Sequence, residues 1–149
     1  MLYTVGEMAK MLEVAPSTLR YYDKEGLLPF VERSNSGIRM FKDTDYEWLQ
    51  VINCLKKTGM PLKDIKDFIY MAMKGDETID ERLALFQKQK QIIENQIAEL
   101  QDTLNTVNFK CWYYQTAKDA GTTSIPRNMS IEEIPEEFRS VRKKLRNIK

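Results

Sequence analysis

The feature that most constrains this chain is a heptad repeat over residues 83–114. With Leu83 as position a, the a positions are Leu83, Lys90, Ile97, Leu104 and Cys111, and the d positions are Phe86, Ile93, Leu100, Val107 and Tyr114. Nine of these ten seam positions are apolar, and Gln, Glu, Lys and Asn dominate the positions between them. Such a pattern specifies a coiled coil. The predicted helix is about 48 Å long at 1.5 Å per residue. An apolar stripe of that length must be covered, either by a second copy of the chain or by folding back on its own domain, and a helix this long outreaches a domain of about 70 residues. Dimerisation is the expected outcome.

The residues before the rod divide into three stretches. In 4–29, Thr4 and Glu7 form a capping box, followed by Val5, Met8, Ala9 and Leu12 on one face. A break at Glu13-Val14-Ala15 leads to Pro16 as a first helical residue, then Leu19 and Tyr22, with Gly26 ending the helix. Two short helices joined by a tight turn read as helix-turn-helix. In 30–41, short β-prone runs flank Arg33-Ser34-Asn35-Ser36-Gly37, which predicts a hairpin, the wing of a winged helix. In 43–74, Asp43 is expected to cap a helix bearing Trp48, Leu49, Val51, Ile52 and Leu55. Gly59 breaks it, and Pro61 starts another that ends at Gly75. The fold class is therefore mainly α: a winged helix-turn-helix domain over 1–74, a dimerisation helix over 76–114, and a tail over 115–149.

The tail from Arg139 to Lys149 carries six basic residues and no acidic one. It reads either as a frayed basic segment or as a short helix from Pro135 with Phe138, Val141 and Leu145 on one face.

Charge argues against a simple nucleic-acid footprint. Lysine and arginine number 23 against 22 aspartate and glutamate, a net charge of +1. Residues 1–70 hold ten basic and ten acidic side chains. If DNA is the partner, positive charge must be segregated on one surface. The chain contains no histidine, which removes Ser-His and Cys-His catalysis and most zinc enzymes. Cys54 and Cys111 form no metal-type cluster. No cofactor and no enzymatic activity are expected. No apolar run approaches the roughly 20 residues that span a bilayer, and the first residues do not read as a signal peptide, so a cytoplasmic location is expected.

A recognition helix must carry hydrogen-bonding side chains to base edges and phosphates. In 16–22, Ser17, Thr18, Arg20 and Tyr21 can project outward while Leu19 packs inward, and Tyr22 can pack its ring and offer its hydroxyl to a phosphate. The competing reading makes the tyrosines core aromatics and Arg20 a solvated charge. Arg39 in the hairpin and Lys56-Lys57 before Gly59 add basic points at plausible phosphate spacing and favour DNA.

The runs Thr4-Val5-Gly6-Glu7-Met8-Ala9 and Ser17-Thr18-Leu19-Arg20-Tyr21-Tyr22-Asp23-Lys24-Glu25-Gly26-Leu27-Leu28-Pro29 resemble the start of MerR-family transcription regulators. Gly37-Ile38-Arg39-Met40-Phe41 resembles that family's wing, and Lys56-Lys57-Thr58-Gly59-Met60-Pro61-Leu62-Lys63-Asp64-Ile65 its second helical pair. The resemblance implies a homodimer joined by an antiparallel coiled coil. It implies binding to a palindromic operator in an over-long promoter spacer, and distortion of that double-stranded DNA on effector binding so that RNA polymerase can engage. By motif position, Ser17, Thr18, Arg20, Tyr21 and Tyr22 fall on the family's recognition helix, Arg39 on its wing, and Lys57 and Lys63 near its backbone contacts. Metal-sensing members carry thiols at the start of the dimerisation helix and after it. Here Asp76-Glu77-Thr78-Ile79-Asp80 has none and no Cys follows Cys111, so no metal site is expected. The segment Ile52-Asn53-Cys54-Leu55-Lys56-Lys57-Thr58-Gly59 resembles the aldehyde- and thiol-stress (NmlR/AdhR-like) branch, which makes Cys54 an effector or redox candidate.

Alternatives stay open at this point. Cys54 also reads as a small buried hydrophobe, and Cys111 as a core thiol of the seam. Phe109, Trp112, Tyr113 and Tyr114, with Trp48, Phe68 and Tyr70, line either a small-molecule pocket or ordinary packing. The whole chain reads either as a DNA-binding regulator, with sensing at Cys54 or independent of it, or as a coiled-coil interaction module without DNA distortion.

Overall fold

The structure is a computed structural model and describes residues 1–147. Ile148 and Lys149, the last part of the basic tail, lie outside the described residues. The elements run β1 (Leu2–Tyr3), α1 (Val5–Met11), α2 (Pro16–Lys24), β2 (Glu32–Arg33), β3 (Arg39–Lys42), α3 (Asp43–Lys57) and α4 (Leu62–Lys74). A 3-10 turn (Asp76–Thr78) leads into α5 (Ile79–Ala120), followed by α6 (Ser124–Asn128), a 3-10 turn (Ile131–Glu133) and α7 (Glu136–Leu145). The chain forms two compact units, Met1–Lys90 and Gln91–Lys149.

In the first unit, α1 begins as its sequence dictates. The Glu7 amide donates to the Thr4 hydroxyl at 3.2 Å, and the Thr4 amide donates to Glu7 Oε2 at 2.8 Å. Three of the helices end alike. After α1, Glu13 donates to the Lys10 carbonyl and Val14 to that of Ala9; after α2, Gly26 donates to Asp23 and Leu27 to Tyr22; after α3, Gly59 donates to Lys56 and Met60 to Leu55. This closure needs a left-handed residue, supplied by Gly26 at φ +78° and Gly59 at φ +85°. At the helix-turn-helix corner a glutamate takes that place, Glu13 at φ +56°, a conformation that costs a β-carbon roughly 1–2 kcal/mol.

The wing is the expected hairpin, with Glu32 opposite Met40 and Arg33 opposite Arg39. A third strand joins it that the sequence did not announce: β1 pairs antiparallel with β3, Leu2 against Lys42 and Tyr3 against Phe41. A two-residue strand carries no periodicity of its own. The cap of α3 also differs from expectation. Lys42 is the N-cap, Asp43 is the first helical residue, and the buried Asp45 carboxylate accepts the Lys42 amide at 2.9 Å. Burial pushes the Asp45 pKa up, against the lowering from that bond. The Asp43 carboxylate instead accepts the Tyr3 hydroxyl at 2.8 Å and so ties β1 to α3.

Met8, Leu19, Leu27, Phe41, Leu49, Ile52 and Ile65 are fully buried at the centre of this unit. The start of α5 belongs to the same core. Leu85 packs against it, the Phe86 ring meets Phe68 edge-on at 5.1 Å, and the buried Gln89 amide donates to the Thr58 hydroxyl at 2.5 Å. Thr78 bonds the Gly75 carbonyl at 3.0 Å and Arg82 donates to the same oxygen at 2.8 Å, fixing the corner between α4 and α5.

The second unit overturns the frayed reading of the tail. Helix α5 continues past Tyr114 to Ala120, and the residues after it fold onto its last turns. Phe109, Tyr113, Ile134 and Val141 are buried, with Trp112, Met129 and Phe138 packed around them. The helix expected from Pro135 is present, and Phe138 and Val141 face this core. Leu145 does not; it is exposed. Arg142 is buried, donates to the Pro126 and Arg127 carbonyls at 2.9 Å each, and lies against the Phe109 and Tyr113 rings. Burial first, then the charge of Arg146, lowers its pKa.

Because Phe109 is fully buried in so small a core, Phe109→Ala should destabilise the second unit by about 3–5 kcal/mol. Urea denaturation followed by circular dichroism, wild type against variant, measures it.

Candidate nucleic-acid interface

Helix α2 is held by one face. Leu19 and Tyr22 are buried, while Ser17, Arg20 and Tyr21 are exposed and Thr18 is half-buried. The Tyr22 hydroxyl donates to Asn53 Oδ1 on α3 at 3.0 Å. Burial, and secondarily Tyr21, pushes the Tyr22 phenol above its ordinary value, so it remains a donor at neutral pH. Lys56 lies 5.0 Å from the centre of the Tyr22 ring and 5.5 Å from that of Tyr21, close enough for cation–π attraction. A hollow of about 380 Å³ opens beside this cluster, lined by Glu13, Tyr22, Asn53, Lys56 and Lys57 among others.

The wing is tied to the same helix. Arg39 donates through Nε to Asp23 Oδ2 at 2.8 Å, and Arg33 donates to the same oxygen at 2.6 Å. Lys57 at the end of α3 and Lys63 in the first turn of α4 are exposed. A helix with one anchored and one free polar face, a hairpin fixed beside it, and lysines around a helical corner form a surface fit to read a duplex groove and grip its phosphates.

Two family models match the chain, MerR HTH family regulatory protein over residues 3–71 and MerR, DNA binding over residues 46–108. A Haemophilus influenzae HTH-type transcriptional regulator is 45% identical over 136 residues, which is 91% of this chain and 98% of that protein. The crystal structure of HiNmlR, described as a MerR family regulator lacking the sensor domain and bound to promoter DNA, superposes with a TM-score of 0.79 at 45% identity. It covers 91% of this chain and 100% of its own. The Escherichia coli regulator ZntR is 32% identical over 114 residues, 74% of this chain and 81% of its own.

The chain belongs to the MerR family. It is a MerR-family DNA-binding transcriptional regulator, NmlR-like in its similarities, and its relatives are regulators rather than enzymes. No helix among the described residues is long and apolar enough to cross a membrane, and none of them group as three or more metal-binding side chains.

The predicted site residues separate within this MerR fold. Ser17, Thr18, Arg20 and Tyr21 share one helix, Tyr22, Lys56 and Lys57 line one hollow, and Lys56 also lies over the Tyr21 ring. Tyr22 lies on the inner face of that helix. Its ring is core and its single proton is committed to Asn53, so it anchors α2. Arg39 is half-buried and already paired with Asp23. Cys54 is exposed on α3, which corrects the reading of it as a buried hydrophobe, and Cys111 is exposed at its seam position. The aromatic residues sort by packing: Trp48 and Phe68 contact each other in the first unit, and Phe109 and Trp112 stack in the second. Sequence reasoning missed Asp23, Arg33 and Asn53 as organisers. Their partners lie 10 to 31 positions away along the chain, and no local pattern links them.

Tyr22→Phe should therefore lower stability by about 1 kcal/mol and weaken specific DNA binding only through a loosened α2, by clearly less than Arg20→Ala, which should weaken it about tenfold or more at unchanged stability. Urea denaturation and fluorescence anisotropy with a labelled duplex separate the two.

Proposed function

We propose that the chain works as a homodimer that binds a palindromic operator and distorts an over-long promoter spacer in response to an effector, realigning the promoter for RNA polymerase. The observation that carries this reading is the two-faced α2, whose buried Leu19 and Tyr22 leave Ser17, Arg20 and Tyr21 outward on a fixed base. Ser17, Thr18, Arg20 and Tyr21 contact bases and nearby phosphates; Arg39, Lys57 and Lys63 grip the backbone. HiNmlR, similar along its whole length, is bound to promoter DNA, which supports the same use of this surface. Selection of duplexes from a random pool tests it: a two-fold symmetric sequence should emerge, and an unselective outcome at moderate salt would overturn the reading.

Dimerisation through α5 is supported by the state of the seam. Ile97 is 61% exposed, Leu100 69% and Val107 52% in the single chain, an apolar stripe that stays in water unless a second helix covers it. Leu100→Lys should yield a folded monomer by sedimentation. A wild-type protein that sediments as a monomer at micromolar concentration would sink the dimer.

Cys54 is the proposed effector site for aldehydes or thiol stress. Its thiol is exposed on α3, next in sequence to Asn53, which holds the anchor of α2. Addition of the thiol across an aldehyde carbonyl forms an S–C bond and moves the thiol proton to the carbonyl oxygen. In this reading the modified Cys54 displaces the adjacent turn of α3, and the Asn53–Tyr22 hydrogen bond passes that shift to α2. With the selected operator placed in the long spacer of a reporter promoter, Cys54→Ser should keep DNA binding and lose induction by formaldehyde. Induction at wild-type level in that variant would remove Cys54 from the mechanism.

A further inference from the structure

Asp23 stands in the last turn of α2. Its Oδ2 accepts Arg39 Nε at 2.8 Å, with a second Arg39 nitrogen 2.7 Å away, and a terminal nitrogen of Arg33 at 2.6 Å. Arg33 gives its other terminal nitrogen to the Gly37 carbonyl in the wing turn at 2.8 Å. Arg33 and Arg39 face each other across the hairpin, one on each strand. A single carboxylate oxygen thus fastens both wing strands to the recognition helix. The side chains of Asp23 and Arg39 are only 19% and 24% exposed, that of Arg33 49%. Charge-assisted bonds to a planar guanidinium fix its orientation as well as its position. The same carboxylate cancels one of the two arginine charges that the wing would otherwise offer to any duplex; the wing's third cation, Lys42, is paired with Glu32.

We propose that Asp23 is a positioning and specificity-determining residue of the DNA interface. It sets the angle of the wing arginines to α2 before DNA arrives and withholds part of their charge, so that the wing engages fully only where the bases beneath α2 also fit. The proposal rests on α2 and the wing being DNA-contact elements. Indiscriminate affinity follows the number of phosphates neutralised, whereas discrimination follows contacts held in register. Removing Asp23 frees arginine to meet whichever phosphate is nearest, and the two quantities move in opposite directions.

Anisotropy titrations over a range of potassium chloride, on the duplex selected by the wild type and on a scrambled duplex of equal composition, read both. Asp23→Asn should bind scrambled DNA more tightly. Its slope of log affinity against log salt there should be steeper by about 0.9, one added phosphate contact, and its preference for the selected duplex should fall about tenfold. Asp23→Glu, which keeps the charge, should retain the wild-type slope and most of the preference. Asp23→Asn/Arg33→Gln should return the slope to wild type, while the preference stays low because the wing is no longer tied. If Asp23→Asn fails to fold by circular dichroism, Arg33→Gln, which unties one wing strand and leaves Asp23 on Arg39, carries the test: its preference should fall at a wild-type slope, and wild-type preference there would overturn the proposal. Wild-type slope and preference in Asp23→Asn, or equal loss of preference in Asp23→Asn and Asp23→Glu with no change of slope, would overturn the proposal. A wild-type protein that binds neither duplex would instead overturn the reading of these elements as DNA contacts.

Discussion

The first unit depends on the seating of α2. Leu19 and Tyr22, three residues apart on one helical face, disappear into a core shared with α1 and α3. Burying such side chains contributes about 1.5–3 kcal/mol each, enough to fix a nine-residue helix that could not persist alone. The bond from Tyr22 to Asn53 then sets the helix's roll, because an aromatic ring in a core can slide but a donor with one acceptor cannot. The outward direction of Ser17, Arg20 and Tyr21 is a consequence of what the inner face does.

Helix α5 solves two packing problems with different faces of one sequence. Its a and d positions keep an apolar stripe exposed in the single chain. Near its end, Phe109, Trp112 and Tyr113 stand off that seam and collect Ile134, Phe138 and Val141 from the segment that follows. Heptad counting sees only the first of these, since three aromatics within five residues look like an irregularity in the repeat. The second unit exists because the off-seam aromatics found partners inside the chain, which left the seam free.

Electrostatics is managed locally rather than by net charge. With 23 basic and 22 acidic side chains the whole chain is almost neutral, yet Lys56, Lys57 and Lys63 stand exposed around the α3–α4 corner while Asp45 is buried at the other end of α3. The wing follows the same economy, with two arginines held by one aspartate. Composition alone pointed away from a nucleic-acid partner, but net charge does not report placement: Asp45 is buried and Asp23 is held between Arg33 and Arg39.

The sequence by itself determined the elements and their kind. Thr4 and Glu7 start α1, Pro16 and Gly26 bound α2, the Ser-Asn-Ser-Gly turn makes the wing, and the heptads make α5, because caps, turns and helical periodicity are written in residues a few positions apart. Only the tertiary structure decided which side chains became anchors and which stayed available. Tyr22 met Asn53, Asp23 met Arg33 and Arg39, Tyr3 met Asp43, and the residues after Ala120 met Phe109. Each of these pairings joins distant positions, and its geometry arises only when the core brings the elements together.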